Sequence, residues 1–300
     1  MTETAPARPD APFSRVERFA SVASTNDVVR GWLAHGTPEV CVAVADEQTA
    51  GRGRMGRTWT APPGAALLLS LGFRPAWLRP DHAWRLSATV ALAMSDAAEE
   101  AAGLPEGAVR LKWPNDLVVE TSGPHTPLAG VTSAEEAAAR LGGPLELRKL
   151  AGVLGESEGL GTEVPRVIVG IGINADWPAT GFPPELAAAM TSLREAAGGR
   201  PVDRELLLAS FLAHLEGRLD ALRSGYFDIA TWAGRQALPD RLVRLEGYPA
   251  HEGEDLVVEG VDGASGGLVV RHPAEGSTSW TVHAGEVTHV RFAARLGSGV

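Results

Sequence analysis

Cysteine is almost absent. Cys41 is the only one in 300 residues, so neither a disulfide framework nor a cysteine-rich zinc site is available. The eight histidines contain no H-x-x-x-H pair, and no zinc site is expected from them. No run of about 18 apolar residues occurs, which leaves no candidate helix to span a membrane. Positive charge is also short. The formal net charge is −10, the wrong sign for a general binder of nucleic-acid phosphates. Residues 1–13 are polar and proline-rich, without the apolar stretch of a secretory signal. A disordered tail over 1–14 and a cytoplasmic location are the expectations.

Lysine is the most telling scarcity. Of 27 basic residues only two, Lys112 and Lys149, are lysine. A genome-wide bias explains the shortage. It leaves open whether arginine fails at these two positions, since lysine is a compact point charge and arginine a broad planar fork. The second explanation gains weight if both lysines fall within chemical motifs, and both do.

What is present is a globular composition, 44% hydrophobic and 21% charged. Strands are expected at 15–19, 40–46, 66–73, 109–113, 116–119, 148–155 and 166–174. Ser24 to Asp27 offers helix-capping chemistry ahead of Val28, Val29, Trp32 and Leu33. Asp81 is the expected cap of a long helix ending at Gly103, and Asp203 that of another stopping near Gly225. Beyond about residue 235, short alternating strands separated by glycine turns suggest a small β-barrel. Segment 120–146 reads as a surface insertion, helical over 133–141.

Gly51-Arg52-Gly53-Arg54-Met55-Gly56-Arg57 satisfies the dinucleotide expression G-x-G-x-x-G. That fingerprint requires a helix directly behind the glycines, and Pro62-Pro63-Gly64 before the next strand forbids one. Three arginines on a glycine loop suit an anionic ligand; an exposed turn with solvated arginines is the competing account. Leu111-Lys112-Trp113-Pro114-Asn115-Asp116 and Lys149-Leu150-Ala151-Gly152-Val153-Leu154 hold the two lysines. Val167 to Asn174 (VIVGIGIN) is a glycine-thinned strand, over which a flat ligand could lie close to the backbone. Gly155 to Gly159 (GESEG) mimics a hydrolase elbow, but a hairpin turn is expected behind it rather than a helix.

Together, Ser24-Thr25-Asn26, residues 48–59, 111–117, 149–154 and 169–174 resemble the biotin–protein ligases, in the family's order. The resemblance extends over roughly 15–292. It implies an α+β fold: a mixed sheet flanked by helices, class II synthetase-like, over 15–235, and an SH3-like β-barrel over 236–293. It implies ATP, biotin and Mg²⁺ as reactants, and a biotin carboxyl carrier domain as protein partner. By similarity Ser24, Thr25, Asn26 and Gln48 recognise the ureido ring. Gly51, Arg52, Gly53 and Arg54 wrap the carboxylate and adenylate, and Lys149 sits between carboxylate and α-phosphate. Arg57, Trp59, Asn115 and Asn174 are the further adenylate candidates. Asp116 either orients the acceptor lysine or is a turn carboxylate pairing with Lys112 or an arginine; Trp113 reads best as core. The family's longer members carry an N-terminal DNA-binding helix-turn-helix, and only about fourteen residues precede the first strand here, so no repressor activity or nucleic-acid partner is expected. A monomer–dimer equilibrium is compatible with the resemblance.

Overall fold

The computed structural model describes residues 12–121, 146–274, 277–283 and 285–292. Most of the tail and almost all of the 120–146 insertion, including the helix expected at 133–141, lie outside the described residues.

Seven strands form one mixed sheet in the order β1-β2-β3-β7-β6-β5-β4. They are β1 (Arg15–Phe19), β2 (Cys41–Ala45), β3 (Ala66–Phe73), β4 (Val109–Lys112), β5 (Asp116–Thr121), β6 (Glu146–Glu158) and β7 (Arg166–Asn174). Only β1 and β2 run parallel; every other neighbour is antiparallel. The two strands flanking the insertion pair directly, as their sequences suggested. Behind the false hydrolase elbow, Gly159 and Gly161 adopt positive φ in the turn from β6 to β7.

Strand alternation sorts the sheet into two faces. Val42, Val44, Leu69, Leu71, Val169, Ile171 and Ile173 join the main core with helix α2 (Trp84–Ala102) and helix α3 (Arg204–Arg223). Cys41, Ala43 and Ile168 pack on the other face against Val29 and Leu33 of helix α1 (Thr25–Ala34). Burial there pushes the Cys41 thiol up to about 11, which rules out a thiolate nucleophile.

Two capping expectations need correction. Asp81 lies in a separate turn, Pro80–His82, and pairs with Arg79; α2 starts after Ala83 with no side-chain cap. Ser24 occupies the cap position of α1 but its hydroxyl makes no capping bond. Asp203 behaves as expected, accepting from the backbone N–H groups of Glu205 and Leu206. Replacing Asp203 with alanine should cost about 1 kcal/mol. Thermal unfolding should register this as a fall of a few degrees, and an unchanged midpoint would refute the cap.

A second, antiparallel sheet follows in the order β11-β10-β9-β8-β12. Its strands are β8 (Arg241–Glu246), β9 (Leu256–Val261), β10 (Leu268–Arg271), β11 (Trp280–Val282) and β12 (Glu286–Phe292). Its own small core includes Leu245, Val258, Leu268 and Val282. Trp113 reaches into that core from the first sheet, buried, with its indole N–H donating to the Gly266 carbonyl at 3.1 Å. Among the described residues, no helix is long and apolar enough to cross a membrane.

Candidate functional site

A cavity of about 280 Å³ opens on the α1 face of the first sheet. A larger one of about 960 Å³ adjoins it, and every residue from Arg52 to Thr58 except Gly56 lines both. The glycine–arginine loop therefore stands between two compartments. It turns through Arg54–Gly56 with Met55 at φ 54°, and a strand rather than a helix follows, as the two prolines required.

The floor is built by strand parity. Gly170 and Gly172 of β7 share the α1 face with Ile168, and Gly152 of β6 lies opposite Gly172. These glycines were expected to admit a flat ligand. They line the cavity, and they also give room to protein side chains. A Cβ on Gly170 would lie 2.3 Å from Asn26 Oδ1, and one on Gly172 2.6 Å from Trp59 Nε1. Two residues along a strand span about 7 Å, so β7 holds Asn26 and Trp59 side by side across the floor.

At the Asn26 position the polar groups form a chain. Gln48 Oε1 accepts from the Thr25 backbone N–H at 2.8 Å and lies 3.0 Å from the Thr25 hydroxyl. That hydroxyl is 2.6 Å from Ser70 Oγ, which is 2.5 Å from Asn26 Oδ1. Asn26 Nδ2 donates to Glu156 at 2.5 Å, so both amides have fixed orientations. Two hydroxyls supply two protons for three contacts. With Thr25 donating to Gln48 and Ser70 to Asn26 both carbonyl oxygens are met, and Asn26 Oδ1 keeps a second lone pair suited to a ligand N–H.

Lys149 reaches the same cavity through a β-bulge. The pairing of β5 with β6 slips between Leu117 and Val118, so that Asp116 faces Gly152 while Val118 faces Lys149. Leu150 consequently turns into the core and Lys149 onto the ligand face, the re-aiming that bulges provide. Lys149 Nζ lies 2.6 Å from Asp116 Oδ1 and 5.5 Å from the Trp59 ring centroid. Asp116 thus pairs with Lys149, and among the described residues neither Lys112 nor an arginine is its ion-pair partner. Lys112 sits beside them in the larger cavity. Its burial holds the ammonium below the usual lysine range, against the opposing pull of Asp116 and Glu286.

The arginines divide. Arg52 forms a two-pronged pair with Asp27 of α1, both bonds 2.7 Å. That pair, with Arg30 adding to it, holds the Asp27 carboxyl below its ordinary value. Arg57 pairs with Glu286 of β12, whose carboxyl is held low by the guanidinium. Arg54 lines the cavity with no ion pair among the described residues. Ser24 and Asn115 also line it, Asn115 anchoring itself to the Val153 carbonyl at 2.9 Å. Gly51 lines only the larger compartment, and a Cβ there would meet the Trp59 carbonyl at 2.4 Å.

Asn174 departs from expectation. It is fully buried at the end of β7, donates to the Thr191 carbonyl at 2.9 Å, and does not line the cavity. Conversely, Leu186, Ala189 and Met190 line it as an apolar wall. They belong to no motif. Long-range backbone bonds, Lys149 N–H to Ala189 and Thr191 N–H to Lys149, bring them there. Ser70 and Glu286 were missed for the same reason, each being supplied by a strand distant in sequence.

Against this geometry, residues 19–174 match the model of the biotin/lipoate A/B protein ligase family. The chain is 31% identical over 209 residues to the bifunctional ligase/repressor BirA of Bacillus subtilis, covering 69% of this chain and 55% of that protein. It therefore spans about half the length of that relative. It is 30% identical over 282 residues to the biotin–[acetyl-CoA-carboxylase] ligase of Mycobacterium tuberculosis, covering 93% of this chain and 90% of the other. A solved biotin protein ligase from Aquifex aeolicus, in complex with biotin and ATP, shares the fold with a TM-score of 0.68 at 24% identity. The match covers 94% of this chain and all of that one.

Proposed function

The chain belongs to the biotin/lipoate A/B protein ligase family, and from that premise we propose that it attaches biotin to a lysine of a biotin carboxyl carrier domain at the expense of ATP. In the first step a biotin carboxylate oxygen attacks the α-phosphorus. The bond to the β-phosphate breaks, pyrophosphate leaves, and biotinyl-adenylate remains. In the second, the acceptor amine attacks the acyl carbonyl, loses its proton, and AMP departs.

One observation carries this reading: an acceptor-rich amide and hydroxyl chain shares a single cavity with Lys149 and Arg54. A ureido ring brings two N–H donors to the amide and hydroxyl acceptors of this chain. Lys149 then meets the carboxylate and the α-phosphate, lowering the repulsion between two anions by a charge fixed in advance. The apolar wall of Leu186, Ala189 and Met190 suits a purine face, with Trp59 and Asn115 completing the adenylate side. Arg54, unpaired among the described residues, is free to follow the phosphate, whereas Arg52 and Arg57 must leave Asp27 and Glu286 first. The loop so released covers the anhydride and excludes water. Asp116, already on Lys149, is placed to take the acceptor's proton as Lys149 turns to phosphate.

Magnesium is tested by the donor set. The lining carboxylates Asp116 and Glu286 each hold a cation, and no group of three metal-binding side chains lies there among the described residues. The side chains build no magnesium cage, so the ion enters on the phosphates of ATP as part of the substrate.

Lipoate is the rival acid. It has no N–H to offer, and a site that expects one rejects a ligand lacking it. A repressor role is the other alternative, and the net charge of −10 weighs against it. Pyrophosphate release with ATP and either acid, in the absence of acceptor protein, decides between the acids. Release with biotin alone is expected, and release with lipoate alone would overturn the proposal.

A further inference from the structure

The second sheet gathers a separate group of reactive side chains. His251 and Glu254 stand three residues apart between β8 and β9, and His272 follows β10. One donor atom from each lies within 4.8 Å of the other two. Glu254 Oε2 is 2.9 Å from His251 Nδ1 and 3.7 Å from His272 Nδ1. Among the described residues no other group of three His, Cys, Asp or Glu side chains is close enough to share an ion. None of the three lines either cavity. Helical H-x-x-x-H spacing could not have revealed them, because they come from two separate connections, one before β9 and one after β10.

The imidazoles are held in place. His251 stacks on Trp280 at 4.6 Å and on Tyr248 at 5.8 Å, and His272 lies 5.0 Å from Trp280. An aromatic floor fixes the ring planes and dries one side of the group, as the shell around a metal does. The other side is open, with 47% of the Glu254 side chain exposed, which leaves an entry path.

We infer that His251, Glu254 and His272 form a site for a borderline divalent transition-metal ion, with zinc the natural test ion and water completing the shell. Two imidazoles and a carboxylate are a ligand set such ions take. Donors on a tetrahedral zinc stand roughly 3.3 Å apart, between the 2.9 and 3.7 Å that already separate the carboxylate from the two rings. The ion staples the β8–β9 loop to β10. That loop also faces the ligand loop: a Cβ on Gly247 would lie 3.7 Å from Met55 Cε, and Tyr248 packs beside Gly285, next to Glu286.

Competition against a chromophoric zinc chelator should reveal one site of micromolar or tighter affinity in the full chain. In the H251A/H272A double variant it should weaken at least about tenfold. Hydrogen exchange across Gly247–Glu254 should slow on adding zinc to the parent and not to the variant. Biotin-dependent pyrophosphate release, in which neither histidine takes part, reports that the variant is folded. A parent that binds no zinc in this range, or a folded variant that binds it equally well, overturns the site.

Discussion

Lys149→Arg should slow adenylate formation by about 10²–10³-fold while leaving the protein folded. Charge is conserved in this substitution, so the expected loss comes from shape. Lys149 Nζ lies against Asp116, and a Cβ on Gly152 would meet that nitrogen at 3.4 Å and the Trp59 ring at 3.3 Å. A guanidinium needs a plane of space where this corner supplies a point. Its fork would also hold Asp116 in two bonds, and the pair would resist the separation that phosphate binding demands. The measurement is single-turnover pyrophosphate release with saturating biotin and ATP, alongside thermal unfolding. A rate within threefold of the parent would falsify the assignment of Lys149 to the phosphate. A lowered unfolding midpoint would instead mark it as a structural lysine of the bulge.

That lysine also measures how far the sequence could be read. Its scarcity flagged Lys149 among 27 basic residues, and hydrophobic alternation located the strand that bears it. Alternation alone, however, would have turned Lys149 into the core and Leu150 onto the ligand face. The bulge that exchanges them depends on how β5 pairs with β6, information held in two segments jointly and in neither alone. Asn174 failed for the opposite reason: the motif fixed its place on the strand, while its burial against Thr191 was set by a connection with no pattern of its own. Leu186, Ala189 and Met190 were invisible because an apolar cavity wall has the same composition as ordinary core. The glycines of β7 were recognised as creating space. That Asn26 and Trp59 fill that space required the register of the sheet and the docking of α1.

Gly170→Ala should raise the biotin requirement by about 10–100-fold, the loss of one to two well-placed hydrogen bonds at roughly 1–1.5 kcal/mol each. The new methyl would stand 2.3 Å from Asn26 Oδ1 and 3.1 Å from its Cγ, so the amide must move. Asn26 is 5% exposed and tied to Ser70 and Glu156; moving it breaks the hydroxyl chain at one end. The displaced Asn26 Oδ1 is lost as an acceptor through which a ureido N–H is read. The effect should therefore fall on biotin and spare ATP: the KM for biotin rises while that for ATP stays within about twofold, since Gly170 lies some 7 Å along β7 from the Trp59 position. Discrimination should fall with it, because lipoate has no N–H for Asn26 to accept and loses nothing when the amide moves. If both KM values rise together, the methyl has collapsed the whole floor and Asn26 does not govern recognition. If neither rises, Asn26 takes no part in holding biotin.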